Sequence, residues 1–117
     1  MTSNLETGHA TAQAAANISA QEFADVYFNG GDGGACGFAW VTFYPANKGN
    51  TRAGKIERKM FEQIGFRRDY TGKAWQLWNP AGYPGQSIDC KFVGAARYAQ
   101  VFLAETGMEV VPASRMD

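Results

Sequence analysis

Gly49-Asn50-Thr51-Arg52-Ala53-Gly54-Lys55 spells G-x-x-x-x-G-K. Two glycines frame a turn that can leave backbone amides free, and a lysine follows to reach an anion. A strand-like segment precedes this turn and a helix-like one follows, the setting in which such a loop holds phosphate. Ile56 stands where a serine or threonine would have to hold magnesium, so nucleotide hydrolysis is set aside. What survives is anion binding at the helix start, helped by Lys48, Arg52 and Lys55. A second helix start, Gly85-Gln86-Ser87-Ile88-Asp89-Cys90-Lys91, crowds Gln86, Ser87 and Asp89 into one turn. Capping is the preferred reading, with Ser87 as N-cap and Asp89 favoured by the helix dipole; a ligand site is the alternative. The chain holds one histidine, His9, and two cysteines, Cys36 and Cys90. That supply is too small for a His/Cys zinc site or a histidine-dependent triad. The chemistry leans towards binding without catalysis, metal or cofactor.

Aromatic residues carry the second signal. In Cys36-Gly37-Phe38-Ala39-Trp40-Val41-Thr42-Phe43, the residues Gly37, Phe38, Ala39, Val41 and Phe43 fit a known pattern, with Trp40 as a conservative aromatic. The stretch resembles the RNP1 segment of the RNA-recognition motif family. That resemblance implies a strand whose Phe38 and Trp40 stack on bases. Cys36 replaces the family's basic first residue, and the stretch opens the fold instead of lying on its third strand. The competing reading, which is preferred, buries Phe38 and Trp40 under an N-terminal helix bearing Phe23 and Tyr27. Thr71-Gly72-Lys73-Ala74-Trp75-Gln76-Leu77-Trp78 is the third cluster. Trp75 and Trp78 beside Arg67, Arg68 and Lys73 make either an aromatic-basic surface or a cross-strand pair with a charged rim. Over residues 33–117 the chain also resembles small uncharacterised bacteriophage proteins, which implies no particular activity.

Charge is unevenly spread. Eleven basic and eleven acidic residues cancel. Residues 1–34 carry Glu6, Glu22, Asp25 and Asp32 and no basic residue, whereas residues 48–73 carry eight basic residues against three acidic. The neutral total hides a basic middle, the natural partner of a polyanion. No apolar run approaches the ~18 residues of a membrane span. The polar start has no signal-peptide pattern, so reduced cysteines and a cytoplasmic setting are expected.

These groups need elements to position them. Residues 1–17 read as a flexible tail of small and polar side chains. A helix is predicted from Ser19, where Ser19 and Glu22 form a capping box with an Ile18–Phe23 staple, to Asn29-Gly30-Gly31. Residues 36–44 read as a strand closed by Pro45. A helix over 52–64 faces the core with Ile56, Met60 and Ile64, and Thr51 or Asn50 caps it. A hairpin spans 66–78 around Thr71-Gly72. A long helix over 88–106 presents Ile88, Phe92, Ala95, Ala96, Ala99, Phe102 and Leu103, and 108–111 is a last strand. The order after the first helix is β-α-β-β-α-β, a ferredoxin-like split βαβ with a four-stranded sheet in one α+β domain over 18–117.

The function expected on these grounds is non-enzymatic nucleic-acid binding. Lys48, Arg52, Lys55, Lys59, Arg67, Arg68 and Lys73 would hold phosphates, and Trp40, Trp75 and Trp78 would stack on bases. The alternatives are a phage-type module binding a host or virion protein, and a small-molecule or nucleotide binder at the helix starts after Gly49 and Gly85.

Overall fold

The computed structural model describes residues 2–117; Met1 of the expected tail lies outside them. The elements are α1 (Thr2–Phe28), β1 (Gly37–Phe43), α2 (Arg52–Gln63), β2 (Arg67–Arg68), β3 (Trp75–Trp78), α3 (Ile88–Thr106) and β4 (Val111–Met116). The four strands form one antiparallel sheet in the order β2-β3-β1-β4. The protein is thus α+β, with an N-terminal helix ahead of the sheet.

One face of the sheet holds the core. Ala39, Val41 and Phe43 of β1 point into it, as period-two alternation requires. Phe61 of α2 stacks on Phe43 with centroids 3.7 Å apart, and meets Phe66 edge-on at 5.0 Å. Phe102 of α3 lies 6.0 Å from Phe61 and stacks on Tyr98 at 5.4 Å. Helices α2 and α3 therefore cover the same face, and α1 packs along α3.

The first helix corrects the sequence reading. It does not begin at Ser19, and residues 2–17 are not a loose tail. Leu5, Ala12, Ala16, Ala20 and Ala24 are buried in a row of roughly four-residue spacing. Small side chains let two backbones approach. At Gly94 of α3 a Cβ would stand 3.5 Å from both Ala16 O and Ala20 Cβ and would collide with Ala81. His9 Nδ1 and Tyr98 Oη share a hydrogen bond of 2.6 Å, and Asn17 Nδ2 donates to Ala81 O at 3.1 Å. Ser19 and Glu22 sit mid-helix, and Ile18 is exposed.

Two further helix faces differ in part from the expected ones. On α2 the buried residues are Gly54, Glu57 and Phe61; Met60 and Ile64 pack on the core as expected, while Ile56 is 50% exposed. The Glu57 carboxylate takes an inward position instead. It accepts from the amides of Ala46 and Asn47, both at 3.2 Å, and ties the preceding loop to the helix. On α3 the buried face is Cys90, Lys91, Gly94, Ala95, Tyr98 and Phe102, which leaves Phe92 and Leu103 outside. The last strand also begins later than expected and runs through Pro112 to Met116.

Candidate functional site

β1 and β3 are the two central strands, and their second face carries no helix. Cross-strand partners share a face, so the register Trp40↔Trp78, Thr42↔Gln76, Phe38↔Arg115, Trp40↔Ala113 and Thr42↔Val111 lists what stands there. Trp40 and Trp78 stack with centroids 4.6 Å apart and planes at 22°. Phe38 meets Trp78 edge-on at 5.8 Å. Phe38 and Trp40 are half-buried, and Trp78 is 46% exposed. The preferred burial of Phe38 and Trp40 under the N-terminal helix is therefore overturned, because α1 lies against α3 on the far side of the sheet. The result is a short aromatic row on the open face, most exposed at Trp78.

Cations flank this row. Arg115 is the cross-strand partner of Phe38 and is exposed. Lys91 is buried, and its Nζ donates to Gly37 O at 3.0 Å while lying 5.5 Å from the Phe38 ring centroid. The strands themselves carry no acidic residue on either face. Neither Arg115 nor Lys91 was among the expected phosphate contacts. Pro112 hid the first by making the last strand look finished. The second was readable only as part of a polar helix start.

The expected cations divide between the two sides of the sheet. Arg52, Lys55 and Lys59 are exposed on α2, and Lys48 is exposed in the loop before it, all on the helix-bearing side. Arg68 faces that side too, its guanidinium carbon 5.5 Å from the Trp75 ring. Trp75 is only 4% exposed, so it is a core residue and not a stacking surface. Arg67 faces Gln76 on the open side, but its Nη1 donates to Glu62 O and Phe66 O. Lys73 is exposed in the β2–β3 turn. That turn is braced by Asp69, whose carboxylate accepts from Thr71 and sits below the usual carboxylate range because of that bond. Among the described residues no carboxylate lies within ion-pairing distance of any of these cations, whereas Arg58 pairs with Glu57 at 3.9 Å.

Both helix starts are capped from within the chain. Thr51 caps α2, accepting from the Gly54 amide at 3.0 Å, and its hydroxyl and amide donate to Lys48 O at 2.6 and 3.1 Å. Gly54 is required because a Cβ there would collide with Lys48 O. At α3, Ser87 is buried and caps the Cys90 amide, while Asp32 accepts from Gln86 N at 2.6 Å and Ser87 N at 3.0 Å. The Gln86 amide, then Ser87 and the Tyr83 phenol, hold the Asp32 carboxyl below its ordinary range. Ile88 N donates to Ala35 O, closing the turn. The ligand alternative at Gln86, Ser87 and Asp89 is therefore corrected, because the chain's own Gly-rich loop occupies that helix end. Two hollows of about 120 and 310 Å³ lie elsewhere, around Leu5–Met60–Met108 and Tyr44–Glu109–Val111.

No family model, curated protein or solved structure matches the chain.

Proposed function

We propose that this protein binds single-stranded nucleic acid on the open face of its sheet. Trp40, Trp78 and Phe38 would take unpaired bases, and exposed Arg115 would meet an adjoining phosphate. The observation that carries this reading is the row of three aromatic rings on the helix-free face of the two central strands, with Trp78 46% exposed. Every base has a π-face, and one base stacked on an aromatic side chain contributes about 1–3 kcal/mol without sequence readout. The likeness of residues 36–43 to an RNP1 segment points the same way, since that segment presents aromatics on a central strand. Longer strands would continue past the β2–β3 turn to Arg68 and Lys73 and on to Lys48, Arg52, Lys55 and Lys59. We also read the connectivity as a ferredoxin-like split βαβ, supported by the strand order β2-β3-β1-β4 and its antiparallel pairing. The phage resemblance of residues 33–117 stands as part of the same proposal.

Titration of short single-stranded oligonucleotides against tryptophan emission tests the function. Quenching with a steep salt dependence, lost in Trp78→Ala, is expected. An unchanged emission spectrum at low salt removes the reading. A second reading is a protein-docking face. It is favoured by the apolar continuation of the row through Val111 and Ala113, with exposed Tyr44 nearby. A complex captured from lysate that survives nuclease and is broken by Trp78→Ala would decide for it.

A further inference from the structure

Helix α3 has more apolar surface than the monomer covers. At about 100° per residue, Phe92, Ala96, Ala99 and Leu103 form one stripe. This stripe is turned away from Gly94, which meets α1. Phe92 is 38% and Leu103 46% exposed. Because α3 packs on β1 and β4, and β4 ends the sheet, the stripe overhangs a free strand edge.

The phase of the β1–β4 ladder shows what that edge presents. Asp117 N donates to Cys36 O at 3.1 Å. Asp117, Arg115, Ala113 and Val111 therefore aim their amides and carbonyls at β1, and Pro112, Ser114 and Met116 aim theirs outward. Among the described residues nothing meets those outward groups. Pro112 costs the β1 ladder nothing, since its missing N–H would have pointed to solvent. What remains is a short edge with two amide donors, Ser114 and Met116, beside an unpaired apolar helix flank.

We infer that a second copy of this chain covers this edge. The two β4 strands pair antiparallel about a twofold axis through Ser114, which continues the sheet from one copy into the other. Ser114 then faces Ser114, and Met116 of each copy faces Pro112 of the other. All the outward N–H groups find carbonyls. A register with Ser114 opposite Met116 would satisfy the same donors, but it sets Arg115 directly against Arg115, which like-charge repulsion disfavours. Pro112 and Met116 stand on the helix side of β4, so exposed Met116 gains an apolar neighbour. Above the joint the two α3 stripes meet, with Ala96 and Ala99 small enough for close approach. The open face of the dimer would carry both aromatic rows on one continuous surface.

Sedimentation analysis of nuclease-treated protein over a wide concentration range tests the inference. A dimer whose fraction rises with concentration is expected. Ser114→Pro removes the central donor while sparing the ladder to β1, so a folded monomer is expected. Leu103→Glu changes only an exposed helix position and should give the same result; it decides alone if Ser114→Pro does not fold. A wild-type protein that stays monomeric throughout overturns the proposal. A dimer that survives either substitution in a folded protein overturns it as well.

Discussion

Trp75 and Trp78 are three positions apart on one strand, and period two sends them to opposite faces. This separates structure from binding at single residues. Trp75→Ala should destabilise the protein by about 3–5 kcal/mol in denaturant unfolding, as expected for a large core aromatic. Trp78→Ala should leave unfolding nearly unchanged and weaken oligonucleotide binding. His9 gives a pH signature. Burial lowers its pKa from the ordinary 6.5, so the folded state disfavours the imidazolium. The unfolded chain then binds a proton before the native one does. The contribution is fully present above pH 6.5 and is lost as pH falls from there towards the native pKa. His9→Gln should flatten thermal stability between neutral and mildly acidic pH, measured as Tm against pH. At this scale the sequence was legible at the helix starts, where Ser87 caps α3 as read and Thr51, one of two candidates, caps α2, and alternation along the strand separates Trp75 from Trp78 although both were expected to stack. It was not legible where a polar group took a core position. Glu57 and Lys91 are buried because loop amides and a carbonyl solvate them, and hydrophobic periodicity carries no trace of that.

Among the elements, α1 shows how composition misleads. Its first half has almost no large apolar side chain, so it reads as tail. Yet Gly8, Ala12, Ala16, Ala20 and Ala24 recur every four residues, which is a signal for backbone approach and not for bulk burial. The complementary mark was Gly94 in the middle of α3, where glycine otherwise weakens a helix. Gly94→Val should therefore be costly, by about 1–3 kcal/mol or more, because the added atoms meet Ala81 and the α1 backbone. Thermal denaturation would show the loss, and circular dichroism would show α1 loosening if the contact is what docks it. The α3 stripe was misassigned for the opposite reason: its apolar residues span two flanks, and one chain buries only one of them.

For the whole molecule, the basic middle and the aromatic row proved to be separate surfaces. The sequence placed both near residues 36–78, but nothing in it said that α2 would lie behind the sheet and the tryptophans in front. Arg115 joined the row only through strand pairing across more than seventy residues of chain. The division predicts a length dependence. For oligonucleotides short enough to occupy the open face alone, Arg115→Ala should reduce the salt slope by about 0.7 per lost phosphate contact. Lys55→Ala/Lys59→Ala should leave that slope unchanged, since a Debye length of about 10 Å at 0.1 M screens charges across the molecule. For longer strands the double substitution should flatten the slope too. Anisotropy titrations at several salt concentrations separate the cases. The packing of α1 on α3 also sets an order of events at the ribosome. Helix α1 finds its main partner only after Tyr98, eighty-nine positions beyond His9, has been made. A nascent chain arrested before Ser87 would thus hold an alanine-studded segment with no groove to enter, and α1 docks only once α3 has followed it.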